Sequence, residues 1–197
     1  MLYYFVMDTV FLQHINSCMK YYKYLELDWQ PSAAKLKDYF YKHEQTFLSD
    51  LAQSSWKPTN TLDIIRHVPE LLDMLAPLMV RIHFIAFFVT EHQYGRIHID
   101  DDDYSKVRLN IPIINCEDTE TIFFTVTEPS EKIMQSNGIA LHNLNPNACK
   151  QVDQYYLTQP VLFRNTEPHQ VVSNNILQPR ISCSIGFYQD LSYLLEE

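Results

Sequence analysis

A change in the character of the chain near residue 80 is the feature that most constrains its fold. Beyond that point, short segments rich in β-branched and aromatic residues alternate with clusters of Asn, Asp, Pro and Ser, a pattern that predicts strands. The eight candidate strands cover residues 81–90, 95–99, 106–114, 121–127, 149–157, 160–165, 168–173 and 180–188. Eight antiparallel strands in two sheets form a jelly roll, the cupin-like double-stranded β-helix. The sequence therefore predicts a mainly β protein with a jelly-roll core over residues 81–197.

The regions outside these strands are helical near the N-terminus and loop-like between residues 128 and 148. The stretch "PSAAKLKDYFYKHEQTFLSDLA" opens with Pro31 where a helix would begin, and "TLDIIRHV" and "PELLDMLAPL" predict two shorter helices. We expect residues 1–80 to form a helical segment that packs on the β core, within a single domain. The connection of residues 128–148 is long for a compact domain and predicts a functional lid loop.

The composition argues against several classes of protein. The chain has only 3 glycines among 197 residues, well below the usual ~7%, and it carries no Gly-rich phosphate-binding motif. A net charge of -9 argues against binding to nucleic acid or anionic membranes, and no apolar run approaches the ~20 residues that span a bilayer. The four cysteines lie far apart without a CxxC pair, which favours reduced thiols and a cytoplasmic protein. We therefore expect a small-molecule or protein substrate.

The stretch "RIHIDDDDYSKVRLNIPI" carries the first candidate site residues. His98 and Asp100 are two residues apart, so on a strand they share one face, ~6.6 Å apart along the backbone. His169, in "NTEPHQVV", lies on a later predicted strand. Two histidines and one carboxylate that meet on one cation form the facial triad of non-haem Fe(II) oxygenases, which leaves positions open for ligands. A solvated turn is predicted for the three aspartates that follow, Asp101, Asp102 and Asp103.

Two further pairs of polar residues follow the same two-residue spacing. Arg180 and Ser182, in "PRISCSIGF", place a guanidinium beside a hydroxyl, which suits a carboxylate. Arg108 and Asn110, in "KVRLNIPI", offer a second set of donors to an anion. For Arg108 a surface position or an ion pair is an equal alternative, and Asn110 could instead bond to a neighbouring backbone group.

This order of residues resembles the Fe(II)/2-oxoglutarate-dependent oxygenase family. The matching motifs are the HxD of His98 and Asp100, the distant His169, and the RxS of Arg180 and Ser182 about ten residues further on. The segment "FRNTEPHQVVSNNILQPRISCSIGF" resembles the aspartyl/asparaginyl β-hydroxylase-like branch. In that branch, the strand similar to "VRLNIPI" supplies a second arginine to the co-substrate. The resemblance covers roughly residues 81–190.

The resemblance implies an activity and a set of ligands. Fe(II) would be held by His98, Asp100 and His169, and 2-oxoglutarate and O2 would be co-substrates. The far carboxylate of 2-oxoglutarate would bind Arg180 and Ser182, on a strand of the sheet that faces His169, ~10 Å away. The implied reaction hydroxylates a peptidyl or free amino-acid side chain and releases succinate and CO2. Related halogenases replace the carboxylate ligand with a small residue, so Asp100 favours hydroxylation or another oxidation.

Two other functions stay open from the sequence. The first is a binding or structural jelly roll that retains a degenerate metal site without catalysis. The second is a cupin-like metalloenzyme of another reaction class, although cupins usually present an HxH step where this chain has HxD, and they would leave the RxS pair unused.

Overall fold

The fold is built from two six-stranded antiparallel sheets, seen in a computed structural model that describes residues 20–49, 56–91, 93–100, 106–134, 140–174 and 177–196. The strands are β1 (Tyr22–Tyr24), β2 (Trp56–Pro58), β3 (Ile82–Thr90), β4 (His98–Asp100), β5 (Val107–Ile114), β6 (Thr119–Val126), β7 (Glu131–Met134), β8 (Ala140–Asn143), β9 (Cys149–Tyr156), β10 (Val161–Arg164), β11 (His169–Ser173) and β12 (Arg180–Phe187). The first sheet has the order β1-β10-β5-β12-β3-β2, and the second has the order β7-β8-β4-β11-β6-β9. The prediction of a mainly β protein with a jelly-roll core is confirmed.

All eight predicted strands are present, as β3 to β6 and β9 to β12, and the described residues contain four more. Strands β1 and β2 come from the first 80 residues and extend the two edges of the first sheet. Strands β7 and β8 form a hairpin inside the predicted loop of residues 128–148, so the loop prediction was wrong there. The two segments are short and polar, and they are held as strands because β8 pairs with β4 from a distant part of the chain.

Four α-helices cover one face of the first sheet: α1 (Gln30–Lys42), α2 (Glu44–Leu48), α3 (Thr61–His67) and α4 (Glu70–Leu75). The single helix predicted from Pro31 is divided at His43, whose φ of -115° and ψ of 17° are not helical. Helix α3 begins where the Asn60 side chain accepts a hydrogen bond from the Asp63 amide, as an N-cap should. Among the described helices, none is both long and apolar enough to cross a membrane.

The two-residue alternation along β5 and β12 separates the core from the site. The apolar residues of both strands face the helices and join Leu36, Phe40, Ile64 and Leu71 in one buried cluster. These strand residues are Val107, Leu109, Ile111, Ile181, Cys183 and Ile185. Burial of each large apolar side chain stabilises the fold by about 1.5–3 kcal/mol. Because neighbouring strand residues point to opposite faces, the residues between them face the space between the sheets. These are Arg108, Asn110, Arg180, Ser182 and Ser184.

Candidate active site

The three candidate metal ligands lie together in the second sheet. His98 and Asp100 are on β4, and His169 is on β11, which pairs with β4 so that His169 lies opposite His98. The centroids of the two imidazole rings are 4.4 Å apart. One ligand atom from each of the three residues lies within 4.8 Å of the others. Strand pairing has thus brought a histidine to the HxD step from about 70 residues away.

Both histidines are oriented by their own backbone. The Nδ1 atoms of His98 and His169 are 2.8 Å from the carbonyl oxygens of Arg96 and Glu167, respectively. A carbonyl can only accept, so each Nδ1 carries the proton and each Nε2 keeps its lone pair. Metal-binding histidines are held in this way by a second hydrogen bond. The two Nε2 atoms and the Asp100 carboxylate therefore form a donor set that fits a divalent iron.

Asp100 also forms an ion pair within the site. Its Oδ2 lies 2.8 Å from Nη1 of Arg108, and both side chains are nearly buried. The other carboxylate oxygen, Oδ1, is 3.5 Å from Nε2 of His98. The structure therefore shows the ion-pairing alternative for Arg108, and its contact with a co-substrate stays a prediction.

The charge states of the three ligands suit a cation near neutral pH. Burial alone would raise the pKa of Asp100, but the Arg108 guanidinium and then His98 hold it well below its usual range. Burial and the neighbouring His98 lower the pKa of His169 to about 4. Burial also acts to lower the pKa of His98, but Asp100 and the Arg96 carbonyl raise it overall. Asp100 is therefore a carboxylate and His169 a neutral imidazole before any metal binds.

The metal-free protein should lose stability as the pH falls from about 6.5 to about 4. The unfolded chain protonates His169 near pH 6.5, but the folded protein does so only near pH 4. In this window the unfolded state binds more protons, so acidification should cost up to about 3 kcal/mol of unfolding free energy. The raised pKa of His98 affects the unfolding free energy above pH 6.5, outside this window. Denaturant unfolding at both pH values measures the loss, and His169→Gln should remove most of it. A His169→Gln variant with the full wild-type pH dependence would contradict this assignment.

Arg180 lies across the cavity, on β12 of the first sheet, as the predicted facing of the two sheets requires. Its side chain is 1% exposed, and Ser182 beside it is also buried. Across the described ranges no ion pair involves Arg180, and its Nε has no hydrogen-bond partner there. A buried charge without a counter-charge is strongly unfavourable. The chemistry of this end of the cavity therefore matches an anion.

Three residues that the sequence did not indicate lie at this end of the site: Thr121 and Ser184, which line the cavity, and Tyr155, which is buried beside Thr121. Thr121 and Tyr155 are cross-strand partners on β6 and β9, and Ser184 follows Arg180 on the same face of β12. Burial raises the pKa of Tyr155 to about 12, against the opposing effects of Thr121, Arg180 and Asn110. The Tyr155 hydroxyl therefore stays protonated and can donate. Only the two-residue spacing of Thr121 and Phe123 signals an inward face in the sequence.

One cavity joins the two ends. It is lined by the predicted site residues His98, Asp100, His169, Arg108, Asn110, Arg180 and Ser182, together with Thr121 and Ser184. Apolar side chains complete its wall, namely Phe88, Phe163 and Val171. The predicted turn of Asp101, Asp102 and Asp103 lies outside the described residues.

Solved structures of other proteins have a similar fold. EvdO2 from Micromonospora carbonacea var. aurantiaca is similar with a TM-score of 0.52 and 14% identity over 86% of both chains, and a second structure of that protein is a complex with 2-oxoglutarate. The non-haem, α-ketoglutarate-dependent epimerase SnoN from nogalamycin biosynthesis is similar with a TM-score of 0.53 and 12% identity, over 85% of this chain and 76% of that one. At these identities the likeness shows a common fold. No sequence family matches the chain, and no curated protein matches it.

Proposed function

We propose that the protein is an Fe(II)- and 2-oxoglutarate-dependent dioxygenase. The observation that carries the proposal is the pairing of two complementary groups across one cavity: a His–Asp–His donor set on one sheet and, on the other, a buried guanidinium that forms no ion pair within the described residues. The first group suits a divalent metal with open positions, and the second suits a carboxylate. A dicarboxylate that also chelates a metal satisfies both. The structures of EvdO2 with 2-oxoglutarate and of SnoN support this choice, since proteins of the same fold use this compound.

The polar lining of the cavity and the spacing of the two sheets suit 2-oxoglutarate. Facing sheets are ~10 Å apart, a gap that a five-carbon dicarboxylate bridges. The 2-oxo acid end would lie at His98, Asp100 and His169. The far carboxylate would accept hydrogen bonds from Arg180 and Ser182, with the remaining donors supplied by Tyr155, Asn110, Thr121 and Ser184. Bound iron would supply the redox chemistry that couples reduction of O2 to decarboxylation. One oxygen atom would enter succinate, the other would enter the substrate, and CO2 would leave.

The proposed substrate is a peptidyl or free amino-acid side chain, and the proposed outcome is hydroxylation. This choice rests on the resemblance of residues 163–187 to the aspartyl/asparaginyl β-hydroxylase-like branch, and on the presence of Asp100 where halogenases have a small residue. The cytoplasmic location also stays a prediction. It agrees with free thiols at Cys116, Cys149 and Cys183 among the described residues.

Succinate release tests this function against the alternative of a non-catalytic jelly roll. The protein would be incubated aerobically with Fe(II), ascorbate and 2-oxoglutarate, alone and with pools of amino acids and peptides. We expect succinate by NMR, and a gain of one oxygen atom in the substrate by mass spectrometry. His169→Ala is the matched control, which should form no succinate. A protein that binds the metal and 2-oxoglutarate but releases no succinate with any pool would be a binding protein.

Tyr155→Phe should weaken 2-oxoglutarate binding by about 10–100-fold, because a hydrogen bond to a charged group is worth about 1.5–3 kcal/mol. Metal affinity should stay within about two-fold, since Tyr155 is not one of the candidate metal ligands and interacts with Thr121, Arg180 and Asn110 instead. Calorimetric titration of the metal-free protein with Mn²⁺, and of the Mn²⁺-loaded protein with 2-oxoglutarate, measures the two affinities. Tyr156→Phe is the control, since the adjacent side chain is 43% exposed and points to the other face of β9. Equal binding by the Tyr155→Phe variant and wild type would remove Tyr155 from the co-substrate site.

A further inference from the structure

The two oxygens of the Asp100 carboxylate have different neighbours. Oδ2 forms the ion pair with Arg108, 2.8 Å from its Nη1. Oδ1 faces the other ligands, 3.5 Å from Nε2 of His98. Arg108 thus contacts one carboxylate oxygen, Oδ2. The other, Oδ1, points to the centre of the donor set.

The guanidinium of Arg108 also packs on an aromatic ring. Its Cζ lies 5.3 Å from the centroid of the Phe84 ring, in cation–π geometry. The Phe84 ring packs edge-on against Trp56, with centroids 6.0 Å apart. The guanidinium is therefore held between a carboxylate and an aromatic face.

Gly186 makes room for that ring. It pairs with Phe84 across β12 and β3, and a Cβ placed on it would lie 2.2 Å from Cε1 of Phe84. Real Cβ atoms do not approach a ring carbon so closely, so any side chain at this position displaces Phe84. This need explains a glycine inside a strand, where glycine otherwise weakens the structure.

We propose that Arg108 is a positioning residue that holds Asp100 as a one-oxygen metal ligand, and that Phe84 and Gly186 fix Arg108 in place. The inference rests on the proposed function, since it concerns the same metal site. A carboxylate that bound through both oxygens would occupy one of the positions that the facial triad leaves open for co-substrate and O2. Arg108 prevents this because Oδ2 is already engaged in the ion pair.

Charge and position predict opposite effects when Arg108 is removed. A positive charge beside a dication repels it, so electrostatics alone predicts that Arg108→Met binds metal more tightly. Loss of an outer-shell partner that orients a ligand instead weakens metal binding by about 10–100-fold. The sign of the change in metal affinity therefore distinguishes a positioning role from a simple neighbouring charge.

The experiment measures Mn²⁺ binding to the metal-free protein by electron paramagnetic resonance, and then 2-oxoglutarate binding to the Mn²⁺-loaded protein by calorimetry. We expect Arg108→Met to bind Mn²⁺ about 10-fold more weakly or worse, with an altered Mn²⁺ spectrum. Gly186→Ala should change both in the same direction by a smaller factor, without altering any polar group. Arg108→Lys keeps the charge without the planar fork, and it carries the test if Arg108→Met does not fold. Arg81→Met is the control, because Arg81 also stacks on an aromatic ring, that of Tyr188, outside the site.

Three other outcomes are possible, and each leads to a different conclusion. Unchanged or tighter Mn²⁺ binding by the Arg108 variants would overturn the positioning role while the proposed function stands. A loss confined to 2-oxoglutarate affinity would make Arg108 a co-substrate ligand instead. A wild-type protein that binds no Mn²⁺ would remove the metal site itself, and the proposed function with it.

Discussion

Arg180→Met is expected to abolish 2-oxoglutarate binding while leaving the ligand-free protein at least as stable as wild type. The guanidinium is 1% exposed, and across the described residues it takes part in no ion pair. An unpaired buried charge is costly, so replacement of the guanidinium by an apolar side chain of similar length should not destabilise the ligand-free protein. The wild-type protein therefore carries a cost that a bound anion would offset.

The loss of binding should be large for the same reason. Truncation of one partner in a buried, hydrogen-bonded charge pair costs about 2–5 kcal/mol, so the dissociation constant of 2-oxoglutarate should rise by about 30-fold to about 5,000-fold. Calorimetry on the Mn²⁺-loaded protein measures the affinity, and thermal unfolding without ligands measures the stability. Ser182→Ala, which keeps the charge, should lose less. A variant that is markedly less stable, or that binds 2-oxoglutarate as wild type does, would show that Arg180 serves the fold and not the co-substrate.

Asp100→Ala is expected to abolish metal binding and also to destabilise the protein. The first effect follows because Asp100 supplies the only carboxylate of the described donor set. The second follows because Arg108, nearly buried, loses the carboxylate 2.8 Å away, at a cost of up to about 3 kcal/mol. The double variant Asp100→Ala/Arg108→Met should recover much of the stability and none of the metal binding. That pattern would separate the two roles of one side chain.

The acidic run provides the control for this prediction. Asp102→Ala and Asp103→Ala remove the same charge close to Asp100 in the chain, and the sequence predicts that both residues lie in a solvated turn. We expect their metal affinity and activity to be close to wild type. Equal losses from Asp100→Ala, Asp102→Ala and Asp103→Ala would mean that the run acts as one charged patch.

The parts of the site that could be predicted from the sequence are those fixed by local geometry. A strand alternates its side chains with a period of two residues, so the shared faces of His98 and Asp100, and of Arg180 and Ser182, follow from their spacing. The same rule explains why apolar and polar residues alternate along β5. The association of His169 with the HxD step came from the resemblance to a family, since spacing alone does not bring the two strands together.

The parts that could not be predicted depend on which strands become neighbours. Thr121 and Tyr155 meet through the register of β6 with β9, and neither segment carries a motif. Arg108 had two equal interpretations, because the choice between an ion pair and a co-substrate contact depends on its distance from Asp100 across the sheets. Strand β7, in "EKIM", has no signal of its own, and it forms because β8 offers it an edge.

The central claim is that one cavity binds Fe(II) and 2-oxoglutarate together, through a metal end at His169 and a carboxylate end at Arg180. Anaerobic addition of both ligands to the purified protein tests it most directly, because Fe(II) chelated by a 2-oxo acid gives a visible charge-transfer band. We predict the band for the wild type, its absence for His169→Ala, and its absence for Arg180→Met at 2-oxoglutarate concentrations that saturate the wild type. A wild-type protein that shows no band and binds neither ligand would contradict the account.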